Sequence, residues 1–263
     1  MMEERREDVT YYWARESAIP MRAHPSESAE MINQLIFGDT CRKLEEDGSW
    51  TKIKHTYDGY EGWVDTKMLE AQDLDAIDAQ ADWHMVVFAA VQWEDGTLQH
   101  LPAGAFVPLI DEGNVWRLAI GQSKGIIMKG SSLLQQQARH KLVEVGSVFM
   151  NTPYLWGGCS GFGIDCSGLM QRVYRSCGIF IPRDSSVQAK QGVRIDWADR
   201  EAGDLAFFAK PNKSHITHVG MVGGDDKIIH ASGKVRVDQL TEKGIIHSAN
   251  HKLSYHLVNI QRC

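Results

Sequence analysis

Twice in its first half this chain sets a glycine twelve residues ahead of a tryptophan, with an acidic, glycine-containing turn just before the tryptophan. Gly38-Asp-Thr-Cys-Arg-Lys-Leu44 runs through Glu-Glu-Asp-Gly-Ser to Trp50, and Gly104-Ala-Phe-Val-Pro-Leu109 runs through Ile-Asp-Glu-Gly-Asn-Val to Trp116. Each tryptophan precedes an alternating segment and a second glycine with apolar neighbours, Gly62-Trp63-Val64 and Gly125-Ile126-Ile127. A hairpin with an acidic turn, whose second strand opens on tryptophan, fits both copies. The spacing leaves no room for long helices. Between Pro20 and Ile127 the apolar stretches are short (Thr51–Ile53, Gly62–Val64, Met85–Val91, Trp116–Ile120) and broken by Gly, Asp and Asn. Such runs predict small antiparallel β domains.

The acidic stretch Glu70 to Asp82 is the expected linker between the copies, and Lys129-Gly-Ser-Ser132 marks a second boundary. Ser131 or Ser132 is placed to cap a helix from about Leu133, since Leu133, Leu134, Ala138, Leu142, Val145 and Phe149 recur at helical spacing. The expected domains are residues 1–70, 71–131 and 132–263, which suits 263 residues.

Composition excludes several function classes. Lys plus Arg is 28 against 34 for Asp plus Glu, a formal charge of −6, where a nucleic-acid binder carries a basic surplus. No apolar run is long enough to span a bilayer. Five cysteines argue against a fully paired disulfide framework. The opening segment, Met1 to Tyr12, has no apolar core, so no signal peptide is visible and a reducing cytoplasm is expected. A chain trimmed at its N-terminus would look the same, which keeps a periplasmic or extracellular location as the alternative.

The chemistry concentrates in Asn151 to Gly178. A Gly-rich loop, Gly157 to Gly163, suited to close approach of a substrate backbone, leads into a predicted helix from about Cys166 to Cys177. Asp165 is its expected N-cap and Gly178 its C′ residue. Cys166 then sits in the first turn, where backbone N–H groups and the macrodipole favour a thiolate nucleophile. Downstream, Gly203–Phe208, His215–Val222 and Lys227–Gly233 read as strands, the last two joined at Gly223-Gly224-Asp225-Asp226. His218 and His230 lie twelve residues apart across that turn. Each could sit on the sheet face that meets the helix, one as base for Cys166 and the other orienting it. Two other readings stand beside this one at the level of spacing. Cys166 could be a packing residue, or Cys159, Cys166, His218 and His230 could bind zinc, although neither a C-x₂-C pair nor an H-E-x-x-H motif is present. Cys41, Cys177 and Cys263 have no motif context.

These residues carry a resemblance. Pro153-Tyr154-Leu-Trp156-Gly-Gly158, Asp165-Cys166-Ser167-Gly168, Pro182-Arg183-Asp-Ser185-Ser186, Ala202-Gly203-Asp204-Leu205, His218-Val219-Gly220 and Ile229-His230-Ala231-Ser232 resemble, in order, the motifs of the NlpC-type papain-like cysteine peptidases of bacteria. Gly59-Tyr60-Glu61-Gly62-Trp63-Val64 resembles bacterial SH3-like domains, and two such domains before the peptidase domain resemble the dipeptidyl-peptidase VI subgroup. The second copy lacks the tyrosine of that motif.

The resemblance implies an α+β chain: a papain-like catalytic domain, helices on an antiparallel sheet, behind two small SH3-like β-barrels. It implies Cys166 as nucleophile, His218 as general base, His230 orienting His218 where papain uses an amide, and Tyr154 near the oxyanion beside the Cys166 N–H. It implies no cofactor and removes the zinc reading. The implied partner is a murein peptide, cut between γ-D-glutamate and the diamino acid (meso-diaminopimelate or L-lysine) and bearing a free N-terminal L-alanine. Asp165 matches the residue that binds this amine. Glu30 and Tyr60, of the first SH3-like domain, match partners that reach over the cleft. Ser167 and Ser185 match positions that bind the D-glutamate carboxylate, and Trp156 and Arg183 line the pocket. A monomer is expected. Three alternatives are a secreted autolysin acting on intact wall, a non-catalytic wall-binding protein, and an acyltransferase on the same scaffold.

Overall fold

The computed structural model describes residues 10–72, 80–119, 125–128, 131–210, 213 and 215–263. The chain divides into two compact units, 1–133 and 134–263. No helix among the described residues is long and apolar enough to cross a membrane.

Among the described residues the regular elements of the first unit are strands and one 3₁₀ turn, Thr66–Met68. Its first sheet contains β1 (Tyr11–Trp13), β2 (Ala18–Arg22), β3 (Met31–Ile36), β4 (Thr40–Asp47), β5 (Trp50–His55), β6 (Glu61–Asp65) and β7 (Glu70–Gln72), in the order β3-β2-β6-β5-β4-β1-β7. Its second contains β8 (Asp82–Trp93), β9 (Leu98–Leu101), β10 (Phe106–Asp111), β11 (Val115–Leu118), β12 (Gly125–Met128) and β13 (Ser132–Leu134). The long β8 pairs with β10 along its first half and with β9 and β12 along its second, which curls this sheet into a barrel. The repeat is visible as two equivalent meanders, β4-β5-β6 and β10-β11-β12. Their leading glycines, Gly38 and Gly104, share φ values of 89° and 91°. One core joins the two sheets: Trp13, Ile36 and Phe37 of the first pack with Val86, Val91, Trp93, Val107 and Leu109 of the second.

Three expectations change here. Ser132–Leu134 is a strand paired with β8 rather than the start of a helix. Ala138 is extended, no side chain caps the following 3₁₀ turn, and the helix α1 covers only Leu142–Ser147. Leu142, Val145 and Phe149 are buried as their spacing implies, but the tertiary pairing of Ser132–Leu134 overrides local propensity upstream. Of the Glu70–Asp82 linker, Glu70–Gln72 and Asp82 belong to strands, and residues 73–79 lie outside the described residues, as do Ile120, Lys129 and Gly130.

The first sheet also buries a titratable cluster. The His55 ring lies 2.8 Å from Asp58 and 3.6 Å from Asp39, all three side chains essentially inaccessible. Burial alone would lower its pKa, but the two carboxylates outweigh it and the value is raised above 6.5. The charged imidazole therefore stabilises this unit fully below pH 6.5, and the contribution is lost as pH rises through the raised value. Amides of β4 and β5, corrected for intrinsic exchange, are expected to lose protection as pH rises above 6.5 through the raised His55 value. Unchanged protection in His55-containing protein would remove this role.

The second unit places three helices, among the described residues, beside one curled sheet. α2 (Cys166–Ser176) follows the short hairpin β14 (Cys159–Ser160) and β15 (Gly163–Ile164), and α3 is Ser185–Gln188. The sheet contains β16 (Val193–Ile195), β17 (Leu205–Ala209), β18 (His218–Gly224), β19 (Lys227–Ser232), β20 (Lys234–Thr241), β21 (Gly244–Ile246) and β22 (Leu253–Arg262). β22 pairs with both β17 and β21, which closes six strands into a ring. α2 has the predicted ends. The Asp165 side chain accepts from the Gly168 N–H at 2.7 Å. Gly178, at φ 71°, gives the Schellman pattern, with its N–H on the Arg175 carbonyl and the Ile179 N–H on Tyr174.

Candidate active site

The β18–β19 hairpin fixes the histidines. Asp225 and Asp226 both adopt positive φ (48° and 54°), making the tight two-residue turn that matches strand twist. This register sets Gly220 opposite His230, so His218 and His230 are diagonal neighbours on one face. Gly220 is required there, because a Cβ would lie 2.9 Å from that of His230. The rings meet, His218 Nε2 to His230 Nδ1, at 2.8 Å. Their face is the one that carries Phe208, Val222 and Ile228. The opposite face, with Met221 and Ile229, meets Gly146 of α1. The histidines therefore lie on the face away from α1, since strand alternation sends them the other way.

Cys166 opens α2, which packs on β18, the strand that begins at His218. Burial pushes the thiol up to about 12, with the Asp165 charge adding to the rise, and the Val219 and Ser167 N–H groups and Arg183 do not offset it. Burial likewise holds His218 well below 6.5, helped by His230, Arg236 and Lys210. The helix-start thiolate is therefore not the resting form: desolvation outweighs the favourable N–H groups, and the site rests as neutral thiol and neutral imidazole. Tyr154 lies on the chain entering the hairpin, its N–H on the Gly233 carbonyl at 2.9 Å. Burial, with the Cys166 and Asp165 charges nearby, holds its hydroxyl well above the ordinary range, so it remains a donor.

Asp165, Ser167 and Arg183 form one buried network. Arg183 grips the Asp165 carboxylate through both terminal nitrogens at 3.0 and 2.6 Å. Gly157 N–H, Gly168 N–H and the Ser167 hydroxyl also donate to it. Ser167 accepts from Arg183 at 2.9 Å. Asp165 thus has a structural task, helix cap and ion-pair partner, that the sequence reading assigned only in part. The Ser167 proton is spent on Asp165. Ser185 opens α3 and is half-buried, and Trp156 is 60% exposed. The Gly-rich loop packs against the protein itself: a Cβ on Gly168 would meet the Gly158 carbonyl at 2.5 Å. Glu30 and Tyr60 belong to the first unit. Glu30 precedes β3 and its carbonyl accepts from Ala23, while Tyr60 precedes β6 and packs on the core of the first sheet.

Two residues escaped the sequence reading. His230 Nε2 lies 3.0 Å from Asp238 Oδ2, on the neighbouring strand. Tyr255 stacks on His218, centroids 4.2 Å apart and planes 14° from parallel. Neither gave a sequence signal: by alternation Asp238 shares its strand face with Lys234, Arg236 and Leu240, while Val235 and Val237 point the other way. Among the described residues no group of three or more His, Cys, Asp or Glu is arranged to hold a metal ion.

A buried cysteine at a helix start, on a helix packed against the sheet that holds a buried histidine pair, is the equipment of a cysteine hydrolase. The NlpC/P60 family matches residues 151–253, and the bacterial dipeptidyl-peptidase Sh3 domain matches 21–69. The gamma-D-glutamyl-L-lysine dipeptidyl-peptidase of Bacillus subtilis (strain 168) is 30% identical over 226 residues, 80% of this chain and 76% of that protein. A protein of the same name from Bacillus cereus is 27% identical over 259 residues, 89% of this chain and 78% of that one. A crystal structure of an NlpC/P60 family protein from Bacillus cereus ATCC 10987 shares the fold at TM-score 0.81 and 22% identity, covering 96% of this chain and 99% of that one. The chain belongs to the NlpC/P60 family of cysteine peptidases, and it is a hydrolase acting on peptide bonds.

Proposed function

We propose that the protein cuts murein peptides between γ-D-glutamate and an L-diamino acid, meso-diaminopimelate or L-lysine, when the N-terminal L-alanine is free, releasing L-Ala-D-Glu for wall-peptide recycling. The observation that carries this reading is the buried, hydrogen-bonded His218–His230 pair on the sheet that α2, opening on Cys166, packs against. The names of the two Bacillus relatives support the substrate class. In this reading His218 takes the thiol proton as sulfur bonds to the γ-carbonyl carbon. The Tyr154 hydroxyl and the Cys166 N–H donate to the oxyanion. The imidazolium then gives its proton to the leaving amine, and water, deprotonated by the same ring, hydrolyses the thioester. Ser185 serves as the proposed carboxylate donor. The second sheet of the first unit is read as a second SH3-like module, and a reducing cytoplasm suits a chain whose five cysteines are all free.

The purified protein is expected to cleave L-Ala-γ-D-Glu-L-Lys or its diaminopimelate counterpart and to fail on the N-acetylated peptide and on intact sacculi. Release of soluble fragments from sacculi at a comparable rate would turn the reading to an autolysin.

A further inference from the structure

We propose that Asp238 is a positioning residue which, acting through His230, places the His218 proton on Nε2 and leaves its Nδ1 as the bare nitrogen available to act as base. The inference rests on the assignment of Cys166 as nucleophile and His218 as its base.

An ionised carboxylate only accepts hydrogen bonds. Asp238 is held ionised by its surroundings: Arg236 Nε donates to Oδ2 at 2.9 Å and the Ser248 N–H to Oδ1 at 3.0 Å. Despite burial, its pKa lies far below the ordinary value. His230 Nε2, 3.0 Å from Oδ2, must therefore carry a hydrogen. Burial keeps His230 neutral, so its one proton is on Nε2 and Nδ1 is bare. His218 Nε2 must then donate to His230 Nδ1 across their 2.8 Å contact. His218 is also held neutral, which leaves its Nδ1 as the lone pair. One fixed anion thus selects two tautomers in series.

The register makes this possible. Asp238 pairs across from Ile228, and Arg236 from His230, so Asp238 and His230 are diagonal neighbours, as His230 and His218 are one strand further. The charged or titratable groups that act on the histidines are Asp238 and Arg236 of β20, Tyr255 of β22, Lys210 after β17 and His247 after β21. Of those whose hydrogen bonds to the pair are seen, Asp238 is the one anion.

Asp238→Asn tests this, because an amide can turn its NH₂ toward His230 Nε2 and allow the opposite tautomers. The full chain with this change is expected to lose kcat about a hundredfold or more with little change in KM, the loss persisting across the pH profile. Long-range ¹H–¹⁵N spectra should show His218 protonated on Nε2 in the wild type and shifted toward Nδ1 protonation in the variant. A variant with wild-type kcat and an unmoved tautomer would overturn the proposal. So would wild-type protein with the His218 proton on Nδ1, a reading that does not depend on the variant folding. Cys166→Ala provides the separation: if it stays active, the assignment of the nucleophile fails, whereas the tautomer spectra judge Asp238 independently.

Discussion

Cys166→Ala is expected to lower kcat/KM by about 10³-fold or more, and His218→Ala by a similar factor, with the double variant no worse than either alone. The two groups act as one unit, so removing either ends the same step. Thermal unfolding of the second unit should move little in Cys166→Ala, because losing one sulfur from a buried site costs on the order of 1 kcal/mol. The resting state adds a second readout. With the thiol pushed up to about 12 and His218 held well below 6.5, alkylation of Cys166 by iodoacetamide without substrate should be slow near neutrality. It should accelerate about tenfold per pH unit towards alkaline pH. Fast alkylation, flat from pH 6 to 8, would show a standing thiolate and contradict the neutral pair. Retained turnover in Cys166→Ala would remove the nucleophile.

Much of the site was legible because its signals are local. Asp165 as cap, Cys166 at the first turn and Gly178 at the end depend on neighbours within a few residues, and all three stand where spacing put them. The two meanders of the first unit were legible for the same reason, through Gly38, Trp50, Gly104 and Trp116. What failed or stayed open depends on distant pairing. Ser132–Leu134 has a helical pattern yet joins β8, and the histidine face was fixed only by register across β17, β18 and β19. Asp238 and Tyr255 were missed because strands eight and more residues away bring them to the histidines. The resting protonation of Cys166 was misjudged because sequence shows the helix start but not the depth of burial.

Arg183→Met should be among the most damaging single changes away from the nucleophile. The Arg183–Asp165 pair is bidentate, with side-chain exposures of 2% and 8%. Methionine fills similar volume but leaves a buried carboxylate without its cation, a loss that costs about 3–5 kcal/mol. In the full chain this should appear as a fall in α2 amide protection of about a hundredfold to several thousandfold. Activity should fall with it, because Asp165 caps the helix that opens on Cys166, and an uncapped first turn no longer holds the sulfur in place. The double variant Arg183→Met with Asp165→Asn discriminates between lost packing and uncompensated charge. Asparagine still accepts from Gly168 N–H as an N-cap but carries no charge, so the double variant should be more protected than Arg183→Met alone. If the second change instead adds its own full loss, the damage lies in packing around the guanidinium and not in the charge it balances.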